Sequence, residues 1–407
     1  MLGFSGEETL GRSPRAVVKG TDRPISVCLL ISSLEYGGAE RQVVELVRAF
    51  DRSRVIPFAC SLSPKVPLGA VLRRPEEDLC VVEKRNRFDI TTIWRVAHVL
   101  RQRQVDVIHG FLLDAEIVAR LAAPLARVPV VIASERNTDY VRRPLHHAAL
   151  RLTQPLFDVM VANSHAGKAF NIRTLGLDES RIEVVSNGVD TGRFRPDRAA
   201  GMTLRRELGI DGTAGVVTMV GSFKRQKGHA AFLQMAARVR AAFPETFFLI
   251  VGEPFRDDSA ASHDYKAEMI ELARSLGLQG RCLFLGHRKD MPSVYNASDV
   301  TVLLSNREGT PNVVLESMAC GIPAVVSDVA DNRMIISDGE DGFVVSVQDV
   351  EEATVPVCEL LREPRKRAMF GENARNKTIE KFSFAAATTR LEQIYRSCLA
   401  GSARPSS

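Results

Sequence analysis

The sequence predicts an α/β protein made of two doubly wound domains in tandem. Three observations carry this. Short apolar runs rich in β-formers alternate with amphipathic helical patterns, which argues for a parallel sheet covered on both faces. The alternation breaks around Asp190–Gly201 into Asp, Gly, Arg and Pro. After the break the opening arrangement of strand, glycine-bounded loop and helix recurs.

The first half opens with Ile25-Ser-Val-Cys-Leu-Leu-Ile31, a buried parallel strand by its composition. Gly37-Gly38 follows, then a helix from Ala39 to about Phe50, with Val43, Leu46, Val47 and Phe50 on one face. Further strands are expected at Val55–Cys60, Val105–His109, Val128–Ala133, Val159–Ala162 and Ile182–Val185. In the second half a strand at Gly215–Val220 leads into a loop at Gly221–Gly228 and a helix at His229–Phe243. Strands at Thr246–Val251, Cys282–Leu285, Val300–Leu304 and Ala324–Ser327 come next, and an amphipathic helix at Phe384–Leu399 closes the chain. The expected organisation is a disordered leader (1–24), a first domain (25–198), a second domain (199–380) and a closing helix (381–400) that crosses back to the first.

Composition narrows the function classes. With 407 residues, 45% hydrophobic and 25% charged, the chain reads as an ordinary globular protein. No apolar run has the roughly 18–20 residues of a membrane-spanning helix, and residues 1–24 lack a signal-peptide core. The seven cysteines are scattered and form no C-x-x-C pair, so free thiols and a cytoplasmic location are expected. Residues 1–200 carry 29 Lys and Arg against 23 Asp and Glu. That excess is too mild for a nucleic-acid binder. It suits an anionic acceptor or a peripheral contact with the inner face of a membrane.

The strongest chemical constellation is Ser305-Asn-Arg-Glu308-Gly309-Thr310-Pro311-Asn312-Val313-Val-Leu-Glu316, between a strand and a helix. Thr310 is the expected N-cap, Pro311 the first helical residue and Gly321 the residue after the helix. A helix N-terminus at the carboxyl end of a parallel strand favours an anion. Glu308 and Glu316, eight residues apart, could each take a vicinal diol, on either side of a diphosphate. No D-x-D motif and no His/Asp cluster marks a metal site, so metal-independent chemistry is expected.

This stretch resembles the E-x7-E region of retaining family 4 glycosyltransferases of the GT-B fold, in which two Rossmann-like domains face a cleft. The resemblance spans about Ile25 to Leu399. It implies that Glu308 contacts the donor sugar, Glu316 the ribose, and the backbone at Gly309–Val313 the sugar hydroxyls and diphosphate. Val220-Gly-Ser-Phe-Lys-Arg-Gln-Lys-Gly228 resembles the family's G-R-L-x-x-x-K-G loop. Lys227 matches its lysine, but Ser222 stands where an arginine is expected, and Lys224 or Arg225 would replace that charge. Glu35-Tyr-Gly-Gly-Ala-Glu-Arg41 resembles the loop in which two glycines, here Gly37 and Gly38, approach the donor phosphates. Many relatives carry H-x-H where this chain has His109 and Phe111; His109 is an acceptor-side expectation, not an assigned base. Val184-Val-Ser-Asn-Gly-Val-Asp190 matches an end-of-domain motif, and Phe284-Leu-Gly-His-Arg288 a base-contacting segment with Arg288 as stacking partner. Arg136 and the basic run with Arg142, Arg143, His146, His147 and Arg151 are expected to face the acceptor or an anionic membrane.

The resemblance thus implies retaining transfer from a nucleotide-sugar, UDP-linked in preference, to an acceptor hydroxyl on a glycan or lipid-linked intermediate of cell-surface polysaccharide. No separate cofactor is expected. A nucleotide-sugar 2-epimerase and a catalytically silent sugar-nucleotide-binding subunit remain alternatives, the latter favoured by Ser222 and Phe111.

Overall fold

The computed structural model describes residues 23–86, 89–136, 144–254, 260–347 and 349–402. The expected leader, apart from its last two residues, lies outside them.

The chain runs β1 (Ile25–Ile31), α1 (Gly38–Ala49), β2 (Val55–Ser61), α2 (Pro75–Asp78), β3 (Leu79–Val81), α3 (Thr91–Gln102), β4 (Val107–Phe111), α4 (Leu113–Ala126), β5 (Val130–Glu135), α5 (Pro144–Leu152), β6 (Val159–Ala162), α6 (His165–Leu175) and β7 (Ile182–Val184). It continues with α7 (Arg198–Glu207), β8 (Val216–Val220), α8 (His229–Ala242), β9 (Phe247–Val251), α9 (Ala260–Ser275), β10 (Cys282–Gly286), α10 (Met291–Ala297) and β11 (Val300–Leu303). It ends with α11 (Asn312–Ala319), β12 (Ala324–Ser327), α12 (Asn332–Ile335), β13 (Gly342–Val345), α13 (Val350–Arg362), α14 (Pro364–Lys381) and α15 (Phe384–Ser402).

The strands form two sheets, ordered β3-β2-β1-β4-β5-β6-β7 and β10-β9-β8-β11-β12-β13. Among the described residues every strand pairing is parallel. In each sheet the order reverses beside the first strand, between β1 and β4 and between β8 and β11. Crossovers leave in opposite directions there, so a crevice opens at the carboxyl ends of those strands. The glycine loop after β1, the loop after β8 and the Glu308 loop after β11 all sit at such reversals.

Helix α15 packs on the first sheet. Phe384, Leu391, Ile394 and Tyr395 share one core with Val27, Leu29, Val43, Val47 and Ile132. Two ion pairs reinforce the seam, Arg54 with Glu392 at 2.8 Å and Arg390 with Glu183 at 2.9 Å. The chain therefore passes between the sheets twice, at 185–190 and at 382–384. The two passages lie side by side, with Val189 N–H donating to the Phe382 carbonyl (2.8 Å) and Phe384 N–H to the Val189 carbonyl (3.2 Å).

Some details differ from the sequence expectation. The break at Asp190–Gly201 ends in helix: α7 starts at Arg198 and buries Gly201 against α10. A Cβ on Gly201 would lie 2.0 Å from the Asn296 carbonyl oxygen, so the two helices meet only because the residue is glycine. Strands β3 and β13 and helices α13 and α14 were not anticipated. The cysteines are free thiols, with Cys28, Cys60 and Cys320 buried. Among the described residues no helix is long and apolar enough to cross a membrane.

Replacing Gly201 with alanine should force α7 away from α10. Urea unfolding is expected to show a loss of about 1–3 kcal/mol, the usual range for overpacking a tight contact.

Candidate active site

Two neighbouring loops of the second sheet build the centre of the site. Gly228, at φ +77°, ends the loop after β8; a Cβ there would stand 2.0 Å from the Leu304 carbonyl oxygen. Only glycine tolerates both the left-handed backbone and the contact. Asn306 N–H donates to the Gln226 carbonyl at 2.8 Å, fastening the loops together. As a result Lys227 Nζ lies 2.7 Å from Glu308 Oε1, which also accepts from Ser305 Oγ at 2.7 Å. The Glu308 side chain is nearly buried, and the Lys227 side chain is 20% exposed. The structure thus joins the two residues that the sequence reading proposed for catalysis.

Helix α11 starts one residue later than expected. Pro311, at ψ 104°, is its N-cap, and no side chain caps the end. Thr310 does not cap it, because its hydroxyl donates instead to the Asn163 carbonyl of the first domain. Gly321, at φ +74°, follows the helix as anticipated.

Glu316 is not a solvated helix carboxylate. It is buried, accepts from Tyr295 Oη at 2.8 Å and pairs with Arg41 at 3.4 Å. Burial raises its pKa, while Arg41 and the Tyr295 hydroxyl pull it down. Tyr295 carried no signal in the sequence, since its position on a short helix says nothing about which carboxylate lies behind it.

The first domain grips the same loop. Asn187 Nδ2 donates to the Thr310 carbonyl at 3.1 Å and to Asn312 Oδ1 at 2.7 Å. Arg136 donates to Asn187 Oδ1 at 2.6 Å, orienting that amide. Gln42 Nε2 reaches the Gly188 carbonyl at 2.8 Å and Asn312 Oδ1 at 3.4 Å. Gly38 lies against Asn312, where a Cβ would be 3.5 Å from Nδ2. Gly309 faces the Asn163 amide, 3.1 Å from the place of a Cβ. Asp331, just before α12, accepts from the first N–H groups of α6, His165 at 2.6 Å and Ala166 at 3.0 Å. That is a helix cap supplied by the other domain. Beside this seam a narrow, partly open cleft is lined by Arg41, Gln42, Arg193, Asn312 and Glu316 among others.

Several expected site residues sit elsewhere. His109 is fully buried, stacked on Phe111 at 4.2 Å, with Nδ1 2.8 Å from Tyr395 Oη of α15. Burial holds its pKa well below the usual histidine range, so it serves as a neutral link between β4 and the returning helix. Phe111 is covered in turn by the Arg136 guanidinium, 5.0 Å from the ring centroid. Arg225 pairs with Glu268 of α9 at 2.9 Å and lies over Tyr265. Arg288 is paired with Asp290 at 2.8 and 2.5 Å. Arg142 and Arg143 lie outside the described residues. Arg41, Gln42, Asn163, Asn187 and Asp331 were missed, although Arg41 and Asn187 stand inside the motifs already singled out. No group of three His, Cys, Asp or Glu suited to a metal ion occurs among the described residues.

The Tyr295→Phe variant should be destabilised by about 1–3 kcal/mol near neutral pH, because Glu316 loses its buried donor. The sign follows from the raised carboxyl: its charged form is the costly one, and stability falls as pH rises from about 4.5 through the folded value. Urea midpoints should therefore differ most near neutrality and converge towards pH 4.5, where the carboxyl is protonated.

Comparison with known proteins accords with this geometry. Residues 202–377 match the family model described as Glycosyl transferases group 1, and residues 36–193 match Glycosyltransferase Family 4. The UDP-Gal:alpha-D-GlcNAc-diphosphoundecaprenol alpha-1,3-galactosyltransferase of Escherichia coli is 27% identical over 319 residues, covering 75% of this chain and 79% of that protein. The D-inositol 3-phosphate glycosyltransferase of Corynebacterium kroppenstedtii is 28% identical over 392 residues, covering 92% and 85%. Among solved structures, Anabaena HepE in complex with UDP superposes with a TM-score of 0.79 at 21% identity, covering 92% of this chain and 100% of that one. Sucrose-phosphate synthase from Thermosynechococcus elongatus gives 0.75 at 18% identity, with the same coverage. The two facing parallel-sheet domains are those of the GT-B fold. Two family models that together match most of the chain, one on each domain, make it a glycosyltransferase: the protein belongs to the family 4 glycosyltransferases.

Proposed function

We propose that this enzyme transfers a sugar from a nucleotide-sugar, UDP-linked in preference, to an acceptor hydroxyl with retention of anomeric configuration and without a metal ion. The observation that carries the reading is the meeting of Lys227, Glu308 and the uncapped start of α11 at a sheet reversal, with Glu316 one turn along the same helix. In this reading the backbone N–H groups of the first turn of α11 and Lys227 hold the diphosphate. Glu308 faces the sugar and Glu316 the ribose. Gly37, Gly38 and the 309–313 backbone close around the phosphates.

The chemistry follows from that placement. The acceptor oxygen attacks the anomeric carbon on the face from which the diphosphate leaves. The bond between that carbon and the phosphate oxygen breaks, and the hydroxyl proton passes to the departing phosphate. The products are a glycoside and a nucleoside diphosphate. No protein base is required, which suits a site where the H-x-H position holds Phe111. Lys227 offsets the charge that develops on the leaving group, and water is kept out by the domain seam.

The acceptor proposed is a lipid-linked glycan intermediate. The Escherichia coli relative is named for transfer to a diphosphoundecaprenol-linked sugar. On the first domain α5 exposes Leu145 and Leu152 beside His146, His147 and Arg151. That amphipathic strip supports a peripheral contact with an anionic membrane.

A nucleotide-release screen over UDP- and GDP-sugars tests the assignment. One donor should be consumed in the presence of acceptor, with activity unchanged by chelator. Lys227→Ala and Glu308→Gln should each lower kcat by about 10²–10³-fold. Release that survives both substitutions would remove the proposed site, and an inverted anomer in the product NMR spectrum would remove the retaining mechanism.

A further inference from the structure

The loop after β8 lacks the arginine that its resemblance implies, and Arg225 lies over Tyr265 of α9 in an exposed pair with Glu268. On the proposed function, Lys227, held on Glu308, is the cation that this loop brings to the diphosphate. A further cation comes from the opposite wall. Arg41 lies on α1, one turn beyond Gly38, and Gly38 packs against Asn312 at the start of α11. Its guanidinium crosses the seam to Glu316.

That pairing is loose. The contact is 3.4 Å, the Arg41 side chain is 41% exposed, and Glu316 has its own tighter donor in Tyr295 at 2.8 Å. Only the arginine end of the pair is half exposed, and buried Glu316 keeps the Tyr295 hydroxyl when the guanidinium turns away. Asn312 and Glu316 are separated by about 6 Å along the helix axis, one helical turn, which the flexible arginine stem can span. The diphosphate of a nucleotide-sugar carries two negative charges, one on each phosphate, and takes a guanidinium bidentately, so it is the better partner.

We infer that Arg41 is the second cation for the nucleoside diphosphate, replacing from the first domain the charge missing at Ser222. In this structure it rests on Glu316. When the ribose takes Glu316, Arg41 turns to the phosphates. Donor binding then requires both walls of the cleft, which couples affinity to their approach.

This inference rests on the donor-site reading, and UDP and uridine separate the two. UDP binding is measured by calorimetry and uridine binding by ligand-observed NMR, with GDP and guanosine used if GDP is the nucleotide the wild type binds. Arg41→Ala should weaken UDP about 10–100-fold, the loss of one charge-assisted contact. Uridine, which has no phosphate, should bind as to wild type. Adding Ser222→Arg to Arg41→Ala should restore UDP affinity. Undiminished UDP binding by Arg41→Ala would overturn the inference. So would an equal loss for UDP and uridine, which would mean that Arg41 acts only by holding Glu316. A wild type that binds neither UDP nor GDP would instead overturn the donor-site reading itself.

Discussion

The site depends on the closeness of two loops, set by Gly228 lying on the Leu304 carbonyl. The left-handed backbone at Gly228 turns the chain into α8 and leaves Lys227 facing the strand beside it. The backbone bond from Asn306 to Gln226 locks the loops at that spacing. The Lys227–Glu308 pair is a consequence of this contact. With both side chains largely out of water, the pair is held by geometry, and Ser305 satisfies the same carboxylate oxygen. A polar cluster so fully engaged is pre-organised for a ligand that takes over its charges.

A second layer of control comes from the other domain. The Thr310–Asn312 turn is held from across the seam by Asn163 and Asn187, with Arg136 setting the Asn187 amide. The conformation of the donor loop is therefore a property of both domains. Asp331 adds a charge at the start of α6, where the helix dipole favours it. These contacts are hydrogen bonds and small ion pairs at a polar seam, an arrangement suited to opening and closing, unlike the apolar core that fastens α15 to the first sheet. The paired passages at Val189 and Phe382–Phe384 give the two domains a narrow common pivot.

The sequence alone determined the two parallel sheets, nearly all their strands, the glycine loops and the Glu308–Glu316 stretch. Those features are local: apolar runs mark buried strands, and glycine, proline and charge mark the turns between them. Strand β3, three residues long and only partly buried, and β13, a short run at a sheet edge, have too little pattern to be read. Only the tertiary structure decided which charges face each other. Lys227 and Glu308 are 81 residues apart, and Arg41 and Glu316 are 275 apart. Arg225 was expected near the phosphates and Arg288 on the base, and the fold sets each beside a carboxylate, Glu268 and Asp290. His109 looked like a site residue and is a buried link to Tyr395. A side chain's residue type states what it can bind, but its partner is chosen by which elements the fold brings within a few ångströms, and that choice is made by packing far along the chain.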